Sequence, residues 1–449
     1  MKKKNGHRLY DNYIITSFDV AYALSKALDL VNPLINNHHQ RVAFIAGSIA
    51  KEAGKSTKEI ENIIIASLLH DIGVVVEKEF HELADPDDNY ENEFCHVIVG
   101  SYLLDGLNIF PNISQLVKYH HSPYSAKTNP LSDTDEIPEL AYIIHLADRI
   151  DILINRDKPA LEQKSKILDK ISKSATNKFH PDHYQAFLRL ADKEHFWFDI
   201  EEQDKYQLVK FNFSLSHLNM TLDDVLETAK LLSRIIDFRC VFTSTHSAGV
   251  AAVAYKIAEL MGLSADECKS AMISGYLHDI GKLAISSEIL YKDGKLTDDE
   301  IQIMKKHPYY TYTILNSFQI FETIKDWASF HHEHLDGTGY PFHLSEEKLC
   351  LGSRILAIAD IFTALSEERP YRQPKSKSSL IDFFNNEAKN NKLDSRVIST
   401  LNAHFDEINS ARSKMQQEAA TDFNNFQKNI FDNKICIQNK NFISVLNTK

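Results

Sequence analysis

Twenty-one histidines lie along the 449 residues of this chain, and a subset of them recurs with aspartates at matched intervals. The sharpest anchor is His278-Asp279-Ile280-Gly281-Lys282, with a weaker copy at His70-Asp71-Ile72-Gly73-Val74. In the second half, His246 precedes His278 by 32 residues and His307 follows Asp279 by 28. The pair His331-His332 begins 24 residues after His307, and Asp360 lies 28 after His332. In the first half, His39 precedes His70 by 31 and His96 follows Asp71 by 25. The pair His120-His121 begins 24 after His96, and Asp148 lies 27 after His121. Two series in the same order at near-equal spacing point to a duplicated domain.

Imidazoles and carboxylates without thiolates suit borderline or hard divalent metals such as iron, manganese, zinc or magnesium. Six or seven ligands exceed the needs of one tetrahedral site and fit a two-metal centre. Neighbouring helical residues point about 100° apart. The carboxylate of a His-Asp pair can therefore bridge two ions while the histidine binds one of them. A hydroxide held between such ions is the nucleophile for a phosphoester, and the ions stabilise the charge of the in-line transition state. One helical histidine is ordinarily a packed or surface side chain. The matched sets, the second above all, carry the metal reading.

These residues must be presented by helices. Gly 14 and Pro 12 are low counts for this length, which disfavours a strand-and-turn architecture. Apolar spacing predicts helices over 17–32 (capped by Ser17), from His39, 60–69, 96–104, 113–121, 139–152 and 186–190. Residues 77–95 and 125–136 read as loops, and 155–180 as a lysine-rich polar stretch. Alternation over 207–213 predicts a short strand or extended linker, and a helix capped by Thr221 follows over 220–238. Further helices are predicted from His246, over 268–277, from His307, over 324–332, over 351–365 and over the polar 402–431. The fold class is all-α, two tandem helical bundles. The expected organisation is 1–205, a linker and connecting helix over 206–236, a second domain over 237–410 and a helical tail over 411–449.

Composition narrows the partners. The chain is 43% hydrophobic and 25% charged, as in globular proteins. A formal charge of -12 argues against binding duplex nucleic acid, while a local cluster of cations still admits a small anionic ligand. The five cysteines stand apart and in no CxxC spacing, so they read as reduced thiols in a cytoplasmic protein. The basic start Met1-Lys2-Lys3-Lys4 has no apolar segment after it and does not read as a signal peptide. No apolar run approaches the roughly 20 residues of a membrane span.

The second half resembles the HD-GYP family within the HD superfamily of metal-dependent phosphohydrolases. The residues that carry the likeness are His278-Asp279-Ile280-Gly281-Lys282, His307-Pro308 and His331-His332-Glu333-His334-Leu335-Asp336-Gly337-Thr338-Gly339-Tyr340-Pro341. Arg354-Ile355-Leu356-Ala357-Ile358-Ala359-Asp360 and Arg369-Pro370-Tyr371-Arg372 extend it over roughly 237–410. The resemblance implies an all-helical domain of HD type that linearises a cyclic dinucleotide, cyclic di-GMP or cyclic GMP-AMP. It implies the metal ligands His246, His278, Asp279, His307, His331, His332 and Asp360. Asp279 and Lys282 would be catalytic, with Lys282 neutralising the scissile phosphate. Gly339, Tyr340 and Pro341 would line the substrate, Arg369 and Arg372 would contact phosphate or guanine edges, and Asp336 would order the loop. Phe242 stands where some members carry a glutamate for a third metal, so two ions are expected, iron or manganese first, with magnesium, zinc and nickel as other candidates.

The first half resembles an HD domain without the Gly-Tyr-Pro loop, reading Ser122-Pro123-Tyr124-Ser125 after its His-His pair and Val74 in place of the lysine. It still carries His39, His70, Asp71, His96, His120, His121 and Asp148, a candidate second metal site. That site would act on another phosphoester, such as the terminal phosphate of a linear dinucleotide, or serve a regulatory or packing role. Two alternatives to the main reading stand: a phosphohydrolase for another nucleotide, and a non-catalytic cyclic-dinucleotide receptor. Cyclic di-GMP against cyclic GMP-AMP stays open, as does the oligomeric state, a homodimer being one option.

Overall fold

A computed structural model describes residues 14–29, 37–74, 95–125, 136–216, 218–219, 221–239, 245–290, 292, 294–316, 322–368 and 373–431. The chain divides into a unit built on residues 16–218 and one built on 219–425. The architecture is all-α. Among the described residues the strands are two-residue pieces at Ile14–Ile15 and Leu218–Asn219.

In the N-terminal unit, helices His38–Glu52, Thr57–Leu69 and Ala141–Ile152 pack as the central bundle. Their inward faces (Phe44, Ile45, Ile49, Ile64, Leu68, Ile143, Leu146) are buried, and that burial is the main favourable term holding the histidine-bearing helices together. Ser17–Asp29 packs against Thr57–Leu69, and Cys95–Leu104 against Ile113–Lys118. The C-terminal unit repeats this with His246–Leu260, Ala265–Leu277, His307–Leu315, Glu322–Ser329 and Leu351–Ser366. Its core joins Val250, Val253 and Ile257 to Leu356, Phe362, Phe384, Leu401 and Ile408.

The duplication reaches the helix caps. Thr57–Leu69 opens with a reciprocal Ser56/Glu59 box, and Ala265–Leu277 opens with Ser264/Glu267 in the same geometry. Each of these helices delivers its His-Asp pair at the far end.

Several expectations are corrected. The 207–213 segment is helical, Lys205–Asn212, because Asp204 accepts the Gln207 amide at its start, and Val209 is buried while Phe211 is exposed. The cap of the first helix is Thr16, whose hydroxyl accepts the Asp19 amide at 3.0 Å, and Ser17 is the first helical residue. The lysine-rich stretch contains the helix Lys164–Lys178, and the turn read at 186–190 is part of Pro181–Ala191, which starts on a proline compatible with a first helical turn. The C-terminal unit runs through residue 425, and Phe405–Phe431 is one continuous helix. The loops read at 77–95 and 125–136 lie largely outside the described residues.

Candidate metal centres

The C-terminal histidines enter the site by one repeated device. His278, His307 and His331 each donate Nδ1–H to the carbonyl three residues earlier, on Gly275 at 2.8 Å, Met304 at 2.8 Å and Ala328 at 2.6 Å. A carbonyl can only accept, so the proton sits on Nδ1 and the Nε2 lone pair is aimed inward. Gly281 makes the approach of the His307 helix fit: a Cβ there would stand 1.9 Å from the His307 carbonyl oxygen.

Asp279 lies between two groups of donors. Its Oδ2 is 3.2 Å from His278 Nε2, and its Oδ1 is 3.3 Å from His307 Nε2. His246, His278 and Asp360 form one cluster, with His246 Nε2 3.1 Å from Asp360 Oδ1. His307, His331 and His332 form the other. Lys282 Nζ sits 2.5 Å from Asp279 Oδ2.

Burial holds His307 and His332 neutral, lowered to about 3 and about 4. His331 is pushed down by burial and by its neighbour His332. For His246 burial works in the same direction, but Glu367 and Asp360 outweigh it and lift the ring to about 10. Asp279 and Asp360 stay ionised although burial opposes it, Asp279 through His278 and Lys282, and Asp360 through His246 and His278.

These residues fit the divalent metals that the resemblance implies. His307 Nε2 and His331 Nε2 face each other at 3.3 Å, and each ring's proton is committed to a backbone carbonyl on the other side. Two lone pairs at that separation call for a cation between them. The buried Nε2 of His278 likewise has no hydrogen-bond partner. The neutral His307, His331 and His332 and the ionised Asp279 and Asp360 are in the protonation states metal binding requires.

The loop after His331-His332 is built on Glu333, which the sequence reading did not single out. This buried carboxylate accepts the Phe342 amide at 2.7 Å and the Leu344 amide at 2.9 Å. Asp336 accepts the Thr338 amide at 2.9 Å and hydroxyl at 2.7 Å, the ordering contact anticipated for it. Gly339 passes so close to Glu333 and His334 that a Cβ would be 2.4 Å from their backbone. Tyr340 lies flat on His332, with ring centroids 4.8 Å apart and planes at 24°, and Pro341 follows through a cis peptide bond. Arg369, Arg372 and Phe242 lie outside the described residues.

The N-terminal unit assembles a parallel centre. His70 and His120 donate Nδ1–H to the carbonyls of Ser67 at 2.8 Å and Val117 at 2.7 Å. Asp71 again stands in the middle, Oδ2 3.2 Å from His70 Nε2 and Oδ1 3.7 and 3.8 Å from the Nε2 atoms of His96 and His120. Asp71, His96, His120 and His121 form one donor group, and His38, His70 and Asp71 the other. Gly73 lets the His96 helix approach as Gly281 does for His307, its Cβ position being 2.0 Å from the His96 carbonyl.

One assignment changes. His38, not His39, is the counterpart of His246: its Nε2 is 3.3 Å from Asp148 Oδ1, and its Nδ1 is 2.7 Å from Asp151. His39 is one position round the helix, with Nδ1 on Asp29 at 2.8 Å and Nε2 3.8 Å from Asp71. The spacing carried this signal, since His38 precedes His70 by 32 residues, the interval from His246 to His278. No lysine follows this His-Asp pair. Instead Arg149 NH2 holds Asp148 Oδ2 at 2.7 Å.

The chain is similar to known proteins through both units. HD domain families match residues 35–153 and 230–397. The 3'3'-cGAMP-specific phosphodiesterase 1 of Vibrio cholerae is 30% identical over 393 residues, covering 85% of this chain and 90% of that protein. The cyclic di-GMP phosphodiesterase response regulator RpfG of Xanthomonas campestris is 39% identical over 161 residues, 35% of this chain and 43% of that one. The crystal structure of a cyclic GMP-AMP-specific phosphodiesterase of V. cholerae, V-cGAP3, superposes with a TM-score of 0.61 at 21% identity, covering 88% of this chain and 98% of that one, which supports the two-domain helical fold.

The chain is a tandem HD-domain protein with a metal-dependent phosphohydrolase fold. It belongs to the HD-GYP-type cyclic-dinucleotide phosphodiesterases. Among the described residues no helix is long and apolar enough to cross a membrane.

Proposed function

We propose that the C-terminal centre linearises 3',3'-cyclic GMP-AMP, with cyclic di-GMP as the competing substrate. The observation that carries the chemistry is Asp279, a carboxylate with one oxygen toward each of two imidazole clusters. His246, His278, Asp279 and Asp360 would hold one ion, and Asp279, His307, His331 and His332 the other. When bound, the metals supply Lewis acidity and lower the pKa of the attacking water. Iron or manganese best suits this oxygen and nitrogen donor set.

The chain's own groups do the rest. Lys282 reaches the Asp279 carboxylate, where its ammonium can meet a non-bridging phosphate oxygen and offset the charge that grows there. Glu333 fixes the loop that carries Tyr340 beside His332, so the ligand ring and the substrate-facing loop form one wall. The preference for cyclic GMP-AMP rests on likeness through both domains to a relative named for that substrate, whereas RpfG matches over 35% of the chain. Purified protein with added Mn²⁺ or Fe²⁺ and each cyclic dinucleotide tests it by product analysis. Faster conversion of cyclic GMP-AMP to a linear dinucleotide is expected; a higher kcat/KM for cyclic di-GMP reverses the assignment.

The N-terminal centre is proposed as a second metal site, favoured by Asp71 standing between two buried donor groups as Asp279 does. Val74 and the absence of a Gly-Tyr-Pro sequence after His121 favour the other centre for cyclic-dinucleotide cleavage, with a different phosphoester or a regulatory role for this one. A cytoplasmic location suits the cyclic-dinucleotide substrate.

A further inference from the structure

The two centres orient their first histidine by different means. In the N-terminal unit His38 Nδ1 is held by Asp151 at 2.7 Å, and Asp151 lies three residues beyond Asp148 on the same helix. Arg41 Nε at 2.7 Å and Arg156 NH2 at 3.0 Å hold Asp151 in turn. Three residues beyond Asp360 the C-terminal unit has Thr363, a hydroxyl that is buried without a hydrogen-bond partner. His246 Nδ1 instead meets Glu367, with both carboxylate oxygens at 3.2 Å.

Glu367 is held from outside the matched HD domain, which ends at residue 397. Gln416, on the helix Phe405–Phe431, donates Nε2–H to Glu367 Oε1 at 2.5 Å and to the carbonyl of Thr245 at 3.2 Å. The amide cannot turn over, because its Oε1 is bonded by the guanidinium of Arg412, itself buried and held on Asn409 at 3.0 Å. Room for this amide is left by Gly249, one turn after His246, where a Cβ would stand 2.7 Å from Gln416 Nε2. Phe405 and Ile408 are buried in the domain core and fix the start of the helix.

We propose that Gln416 is a positioning residue for the C-terminal metal centre, acting through Glu367 on the ring of His246. The terminal helix thereby adds a support for Glu367 from beyond the matched HD domain. Partners that orient a ligand imidazole raise its basicity and fix its direction, and their loss weakens metal binding about 10- to 100-fold. The inference rests on the reading of this centre as a metal site.

The test uses the full chain in an Asp71→Ala background, which removes the N-terminal contribution. Mn²⁺ affinity is measured by titration calorimetry for Gln416→Ala, for the near-isosteric Gln416→Glu, and for His246→Ala as reference. Gln416→Glu sets a second carboxylate against Glu367. Both Gln416 variants are expected to bind one Mn²⁺ about 10- to 100-fold more weakly, to melt like the parent in metal-free form, and to recover kcat at saturating Mn²⁺. If His246→Ala loses that binding event while both Gln416 variants titrate like the parent, the proposal is overturned and the metal centre stands. If His246→Ala also titrates like the parent, the metal reading falls with it.

Discussion

Which nitrogen carries the proton decides what each buried histidine can do. The carbonyls of Gly275, Met304 and Ala328 take the Nδ1 protons of His278, His307 and His331, so these rings turn an Nε2 lone pair rather than a proton to the site. Lys282, with Nζ 2.5 Å from Asp279 Oδ2, is a side chain suited to neutralising a phosphate. Lys282→Ala is accordingly expected to lower kcat about 100-fold, the scale of losing one preorganised charge-stabilising donor, with little change in Mn²⁺ affinity. Steady-state kinetics at saturating metal check this. An equal loss of metal binding would make the lysine structural. Tyr340 is stacked on His332.

Helix packing sets how the ligands meet. Gly281 lies against the first turn of the His307 helix, and Gly73 against that of His96, at distances no side chain tolerates. Gly281→Ala must push back the backbone that presents His307. The expected result is destabilisation of about 1–3 kcal/mol, the range for overpacking, and loss of Mn²⁺ affinity at the His307 cluster. Thermal melting and metal titration would show it, and an unchanged titration would contradict this account of the glycine. At the same scale, the alternation of 207–213 misled because apolar residues in a short segment fit either period. Asp204 at the start and exposure of Phe211 resolve it as a helix.

At the scale of the whole molecule, two centres with matched donors imply separable metal contents. Asp279→Ala is expected to abolish cleavage of the cyclic dinucleotide and to remove the C-terminal metals. Asp71→Ala is expected to remove the N-terminal metals and leave that cleavage within about 3-fold of the parent, since independent sites couple weakly. Metal analysis of both purified variants, with product assays, distinguishes them. Cleavage abolished by Asp71→Ala would reassign the active centre.

The residue types and intervals by themselves determined the all-helical duplicated architecture and the paired His-Asp series, because a helix turns residue number into direction. The interval of 32 residues to His70 marks His38 as the match to His246, but which ring faces Asp148 and which faces Asp29 is decided by the packing. The intervals carried no trace of Glu333 as the anchor of the loop, of Arg149 on Asp148, or of Gln416 reaching His246 through Glu367. Those contacts depend on how distant segments pack, Gln416 lying 170 positions beyond His246. Local spacing sets the donors of a metal site, whereas the groups that orient those donors are chosen by the tertiary fold.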